Sequence, residues 1–366
     1  MAAEREHVGI EPLFAVGVYI AAASNIDFQQ IFRLAGLVQM TVVIIVFYIC
    51  FLKPLSSKKT YRLILLTTAL IAGIFCGLNG RMIQSELIGC GSGPDAFFKN
   101  LGSALQNMID RIPFRNSDTN SLLKAILSGN RTDISPEIVS AFRKSGASHI
   151  LALSGLHLGI IYGLVSKLTC LLGGSKTSRM IRCIINLTIC AVYSLATGGS
   201  ASIIRALTFI ILNEIGRISH RPSTLARILR KSLMINLIIS PWSILEVGFQ
   251  LSYAAMAGIA WIHPVLKSAW PDDDRKSIMK KIWETASLSI SCQLTTAPLV
   301  YLYFGTFPIY FLLTNLLALP LIGFIIPVSV ITLILNAIGI CPQILFCITE
   351  KAAAGLISAL EIISRM

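Results

Sequence analysis

Between Ser145 and Gly163 the chain reads SGASHILALSGLHLGIIYG, an apolar run carrying three side chains able to do chemistry. His149, Ser154 and His157 could act as base, nucleophile and base, because a serine and a histidine three residues apart on one helix point the same way. A working base also needs a third group to orient it. The other use of such residues is hydrogen bonding, either to neighbouring carbonyls or to something held in a wet interior. Ionisable groups at membrane depth are functional candidates because their desolvation must be compensated. At ~100° per residue the three side chains share one broad helical face. Gly155, Gly159 and Gly163 repeat on a different face, a spacing that lets another helix approach closely.

Three further clusters place polar groups where apolar runs are interrupted. In GGSASIIRA (residues 198–206) two glycines free the backbone, and Arg205 then enters an apolar helix. A lone arginine at a helix centre costs at least about 2.5 kcal/mol on insertion scales. Arg205 is therefore expected to face water, to snorkel to the interface, or to pair with an acid such as Glu246. Glu214 lies on the opposite side of its own helix, too far for a direct pair. In SPWSILEVGFQLS (residues 240–252), Pro241 and Gly248 break the run while Glu246, Gln250 and Ser252 bring in polar groups. QLTTAP (residues 293–298) does the same around Gln293, and TNLLALP around Asn315 and Pro320. Broken helices are tolerated in a bilayer only where protein or water satisfies the freed backbone, and they often line transport paths.

The elements that must position these groups are membrane helices. Hydrophobic residues make up 54% of the chain and charged residues 13%, about half the charge a soluble domain of this size carries. Windows of about 20 apolar residues fall at about 11–25, 34–52, 62–80, 148–172, 181–197, 201–216, 231–244, 245–263, 284–304, 308–338 and 340–363. The expected fold is all-α and polytopic, with about nine to eleven membrane segments including broken or re-entrant helices. Four basic clusters fall on one side of this alternation: Lys53 to Arg62, Lys176 to Arg182, Arg217 to Lys231, and Lys267 to Lys281. The positive-inside rule makes that side the cytoplasm, and the net charge of +13 then reads as topology signal or as direct contact of these loops with anionic lipid or nucleic acid.

Residues 81–146 hold most of the remaining charge and read as a compact helical segment on the outer surface. Helical patterns run from about Ala96 to Ile112 and through Leu122, Leu123, Ile126 and Leu127 up to Gly129. Asp133 or Ser135 is placed to cap a helix starting near Pro136. The nine cysteines lie mostly in apolar runs and show no ligand spacing, so neither a disulfide framework nor a metal site is expected. No P-loop occurs, and no cofactor is implied.

The text AILSGNRTDISPEIVSAFRKSGASHILALSGLHLG (residues 125–159) resembles the signature segments of the ComEC family, polytopic proteins that carry transforming DNA across the bacterial inner membrane. SASIIRA (200–206), GFQLSYAAMAGI (248–259) and APLVYLYFGTFPIYFLLTNLLALPL (297–321) are similar to its later elements, in the same order. The resemblance runs from about residue 122 to 340, and the early helices resemble the family's amino-terminal membrane segment. It implies three parts: membrane helices over 1–80, a short extracytoplasmic helical segment over 81–121, and a competence-type channel domain over 122–366. Long family members carry an oligonucleotide-binding barrel between the early helices and the channel. Roughly forty residues stand there in this sequence, without alternating strands. Many members also end in a metallo-β-lactamase-like domain, whose HxHxDH signature does not occur among the five histidines.

What the resemblance implies is a non-enzymatic, multi-pass inner-membrane channel for single-stranded DNA. Its path candidates are His149, Ser154, His157, Arg205, Glu246, Gln250, Ser252 and Gln293. The implied partners are single-stranded DNA, membrane lipids, a cytoplasmic helicase motor, periplasmic DNA-binding competence proteins and further copies of the chain. A small-solute transporter of the same helical architecture and an intramembrane Ser/His hydrolase are the competing readings.

Overall fold

A computed structural model describes residues 11–23, 69–74, 94–219, 224–270, 278–305 and 310–365. The windows at 34–52 and most of 62–80, with the basic cluster Lys53 to Arg62, lie outside the described residues. Every regular element among the described residues is helical. In chain order these are α1 (Glu11–Ala23), α2 (Pro94–Asp110), α3 (Ser117–Ser128), α4 (Pro136–Lys144), α5 (Ser148–Leu151), α6 (Gly155–Thr169) and α7 (Lys176–Ala196). They continue with α8 (Ala201–Ile218), α9 (Leu225–Ile239), α10 (Val247–Ala257), α11 (His263–Ser268), α12 (Ile278–Phe304), α13 (Phe311–Ala337) and α14 (Gln343–Ser364). Short 3₁₀ turns cover Cys170–Leu172 and Pro241–Leu245, and a π-helical stretch at Gly258–Ile262 joins α10 to α11.

The helices bury polar groups and expose apolar ones, the reverse of a soluble bundle. On α13, Thr314, Ser329 and Thr332 are buried, while Leu317, Phe324 and Ile334 are exposed. On α7, Asn186 and Ser194 are buried, while Met180, Ile184 and Val192 are exposed. Lipid is the solvent that makes this arrangement favourable, because an inward hydroxyl can then find a carbonyl. Ser194 donates to the carbonyl of Cys190 at 2.7 Å and Thr332 to that of Val328 at 2.8 Å. Three stretches among the described residues are long and apolar enough to cross a membrane: Gly155–Leu172, Thr177–Ala196 and Phe311–Ala337. The 308–338 window is thus one helix through Pro320 and Pro327. The 27 residues of α12 would span about 40 Å.

The chain divides into two compact units, and the division does not follow sequence order. The first contains residues 1–91 and 223–253, the second residues 92–222 and 254–366. In the first, Phe14 and Val18 of α1 pack with Leu237 of α9 and Phe249 of α10 in one apolar cluster. Contacts from the amino-terminal helix thereby group the segment 223–253 with the early chain.

In the second unit, one core contains Ile109 of α2, Leu122 and Ile126 of α3, Phe142 of α4, Ile322 and Ile325 of α13, and Leu356 and Leu360 of α14. The described part of the segment 81–146 shares this core with α13 and α14. Ser135 caps α4 by accepting from the Ile138 N–H at 3.4 Å, with Pro136 in the first turn. Lys124 ties the end of α2 to the loop after α3, through Asp110 at 2.6 Å and Asp133 at 2.7 Å.

Hydrogen bonds from Lys124 and then Thr132 hold the Asp133 carboxyl below the ordinary carboxylate range. The hydrogen bonds that Lys124 donates to Asp110 and Asp133 raise its ammonium above the ordinary lysine range. A depressed carboxylate contributes stability above its unfolded pKa and loses it as pH falls through the folded value. Acidification below about pH 4 is therefore expected to lower the thermal midpoint in detergent, and Lys124→Met to remove part of that slope. The change should stay within about 1 kcal/mol because both carboxylates are half exposed.

A glycine sets one close helix contact in the same unit. A Cβ at Gly258 would strike the Ser291 carbonyl of α12 and lie 2.7 Å from Thr295 Oγ1. Gly258→Ala is expected to cost about 1–3 kcal/mol, read as a lower unfolding midpoint. Gly355→Ala on α14, with nothing within 4 Å, should leave the midpoint unchanged or raise it.

Candidate functional site

The first signature segment is a turn, a short helix, a break and a cap. After α4 the chain enters Gly146 at φ +80°, and the Ala147 N–H donates back to the Phe142 carbonyl at 2.8 Å, closing the helix end. The freed Ser145 carbonyl accepts from Thr314 of α13 at 2.7 Å. Ala147, Ile150 and Leu151 are buried behind it. Gly129, which caps α3 at φ +78°, meets the same segment, since the Leu153 side chain fills the space its missing Cβ leaves.

The run 148–172 is not one helix. It stops at Leu151 and restarts at Gly155, and Ser154 is the extended residue that begins α6. His157 reaches back: its Nδ1 accepts from the Ser154 N–H at 3.2 Å and lies 3.1 Å from Ser154 Oγ. A ring nitrogen that accepts carries no proton, so the proton sits on Nε2. That Nε2 is buried and has no hydrogen-bond partner among the described residues. Ser154 is half-buried, and its neighbouring imidazole lone pair is engaged by the backbone. This geometry fixes a helix start, with His157 in the role usually taken by Glu or Gln. His149 lies exposed on the separate helix α5, its Nδ1 3.2 Å from the Gly146 carbonyl.

Arg205 is buried on α8, one turn after a start made by Gly198, Gly199 and Ser200. α8 packs beside α6 through Leu158, Ile203, Ala206 and Leu207. Among the three spaced glycines, Gly155 makes the close approach: a Cβ there would lie 3.1 Å from Ala206 Cβ. Gly159 and Gly163 have nothing within 4 Å among the described residues, so the contact uses one glycine rather than the stripe. Gln293 is on α12, its buried Nε2 without a partner among the described residues. With Ile290, Leu294, Ala297, Pro298, Tyr301 and Phe311 it lines an apolar groove of about 580 Å³ between α12 and α13.

The remaining candidates belong to the first unit. Gln250 donates to the Ile244 carbonyl at 3.0 Å and so satisfies backbone freed by the break at Pro241–Leu245. Glu246 is exposed at the end of that turn and Ser252 is half-buried on α10. Next to them, Tyr253 Oη lies 2.9 Å from Ser232 Oγ and accepts from Asn236 Nδ2 at 3.2 Å.

Sequence reasoning missed the densest polar cluster. Glu214 is buried on α8 and accepts from Tyr162 Oη of α6, from Asn186 Nδ2 of α7 at 3.4 Å, and from Arg217 at 3.0 Å. Arg217 also donates to Tyr162 Oη at 3.0 Å, and Thr169 donates to Asn186 Oδ1 at 3.2 Å. Arg179 and Arg182, expected in a loop, occupy the first two turns of α7. One polar residue in each of three consecutive apolar helices was the signal available.

Comparison with known proteins decides the relationship. The family model described as competence protein matches residues 126–366. The chain belongs to the ComEC family of competence proteins. It is 25% identical over 219 residues to ComE operon protein 3 of Bacillus subtilis (strain 168), covering 59% of this chain and 27% of that relative. It is 23% identical over 291 residues to the uncharacterized protein YcaI of Escherichia coli (strain K12), covering 78% of this chain and 37% of that relative. The chain thus spans a minor part of the length of these curated relatives. No solved structure matches it. The family match begins at Ile126 in α3, and it takes in the break at Ser154, Arg205 and the Glu214 cluster.

The cap predicts a specific pattern of substitutions. His157→Gln preserves an acceptor for the Ser154 N–H and should keep the wild-type unfolding midpoint. His157→Leu should lower it by the equivalent of about 1 kcal/mol, measured by thermal unfolding in detergent.

Proposed function

We propose that this chain is a channel component of the bacterial inner membrane, passing single-stranded transforming DNA into the cytoplasm during natural competence. The observation that carries the reading is a buried polar side chain in each of the first two signature segments, on packed helices. Arg205 on α8 and the Nε2–H of His157 on α6 are hydrogen-bond donors kept out of lipid on two packed helices. A strand in passage needs donors for its phosphates and little base specificity. Family membership supports DNA as the cargo, and the inward-turned polar faces of α7, α12 and α13 support a multi-pass body.

On this reading the chain performs no covalent chemistry. The Ser154–His157 pair lacks an activated nucleophile because the imidazole lone pair serves the backbone, and this counts against a hydrolase. A cytoplasmic helicase motor supplies the energy, and periplasmic DNA-binding proteins deliver the strand.

A transformation assay tests the reading in a naturally competent host whose own family member has been deleted. The chain should restore DNA uptake. Arg205→Ala should abolish rescue, Arg205→Lys should retain part of it, and Ser154→Ala should keep it. Rescue by Arg205→Ala with loss in Ser154→Ala would overturn passage in favour of hydrolysis. Unimpaired uptake in a deletion strain of the source organism would remove the reading altogether.

A further inference from the structure

We propose that the end of the α6–α8 bundle opposite Arg205 is a binding site for the phosphate headgroup of an anionic phospholipid. The inference rests on α6–α8 being membrane-crossing helices, as the proposed function requires.

Arg179, Arg182 and Asn186 lie at i, i+3 and i+7 on one face of α7. Glu214, Arg217 and Ile218 face them from the last turns of α8, around a recess of about 70 Å³. That volume is several times what one water needs and suits an oxyanion of phosphate size. The recess carries three guanidinium groups and one carboxylate. The carboxylate is already compensated, since Glu214 accepts from Tyr162, Asn186 and Arg217. Neither Arg179 nor Arg182 forms an ion pair among the described residues, and Arg182 gives one N–H to the Gly173 carbonyl at 3.2 Å. Two guanidinium groups, both half-buried, thus remain to bind an anion. The guanidinium fork matches the oxygens of a phosphate, and a partly desolvated site strengthens that match.

The surroundings favour a lipid over a nucleic-acid strand. Leu171 is 86% exposed, and Leu172, Met180, Ile184 and Ile215 are also exposed on the same end of these helices. Apolar side chains bordering arginines at a helix end are the pattern of the membrane interface, where acyl chains lie against the former and phosphates against the latter. A strand would need flat faces for its bases, and no aromatic residue lines the recess. Arg217, Tyr162 and Asn186 then have a positioning role. Arg217 compensates the charge of Glu214, and Tyr162 and Asn186 fix its position by donating hydrogen bonds to it.

The test is lipid retention by the purified full chain, followed by native mass spectrometry with phosphatidylglycerol, phosphatidylcholine, glycerol phosphate and a single-stranded oligonucleotide as separate probes. Phosphatidylglycerol should be retained and phosphatidylcholine should not. Arg179→Ala with Arg182→Ala should weaken retention about ten-fold or more, while the charge-matched Arg143→Ala with Lys144→Ala should leave it unchanged. Arg179→Lys with Arg182→Lys keeps the charge and removes the fork, so it should fall between them. It decides the matter if the alanine pair fails to fold.

Equal retention by all variants overturns the proposal. So does glycerol phosphate binding as tightly as the lipid, which would assign the recess to a soluble phosphate. Oligonucleotide binding that displaces the lipid and is lost in the same double variant would assign it to the strand. Transformation is not the readout, so failure here leaves the channel reading standing, and failure of that reading leaves lipid retention measurable.

Discussion

In the hydrocarbon of a bilayer no water is available to pair a polar group, and each group left unpaired costs several kcal/mol. That constraint organises the second unit. Most buried hydroxyls on α7, α12, α13 and α14 bend back to carbonyls of their own helices, as Ser194, Ser291, Thr332 and Thr349 do, while those of Ser289 and Ser329 have no partner among the described residues. Between helices they pair sparingly, as Thr332 does with Thr349 at 3.3 Å. Where a helix ends inside the protein, the freed carbonyl finds a side chain from a distant part of the sequence. Thr314 reaching Ser145 is the clearest case, because it fastens the end of α4 to α13.

The same constraint gives the signature residues their first meaning. Gly146 allows the left-handed turn, Thr314 covers the carbonyl it frees, and Ser154 with His157 restarts the chain as α6. A catalytic reading and a capping reading use identical residue types. They differ in what the imidazole nitrogens face. Here Nδ1 faces backbone, and Nε2 is buried without a described partner, so the histidine offers a fixed donor rather than a mobile base.

Electrostatics divides the bundle lengthwise. Arg205 lies near the start of α8 and Arg217 near its end, with Glu214 buried a turn before it. Burying Glu214 takes hydrogen bonds from an arginine, a tyrosine and an asparagine on three helices. All three bonds converge on Glu214 Oε1, and a buried acid with fewer partners would destabilise the same helices strongly. Glu214 pairs with Arg217, and Arg179 and Arg182 have no acidic partner among the described residues.

Local rules made several parts legible from the residues alone. Ser135 before Pro136 gave the start of α4, Gly129 gave the end of α3, and the balance of apolar and charged residues gave an all-helical membrane protein. Those features depend on a few neighbouring residues and on period, which a sequence carries directly. The break at Ser154 was hidden because apolar periodicity runs straight through it, and only the packing of Leu151 and Leu153 shows where the helix stops. The Glu214 cluster was hidden for a related reason: each member is an isolated polar residue, and their meeting depends on how α6, α7 and α8 are rotated. Likewise, the glycine stripe predicted a face, while the neighbouring helix uses Gly155 alone. The sequence by itself thus determined the solvent, the helical class and the helix ends at Gly129 and near Pro136, because these follow from composition and short-range geometry. Which polar groups meet, and which are left to meet a ligand, only the tertiary structure decided, because that depends on helix rotation and on contacts between residues far apart in the chain.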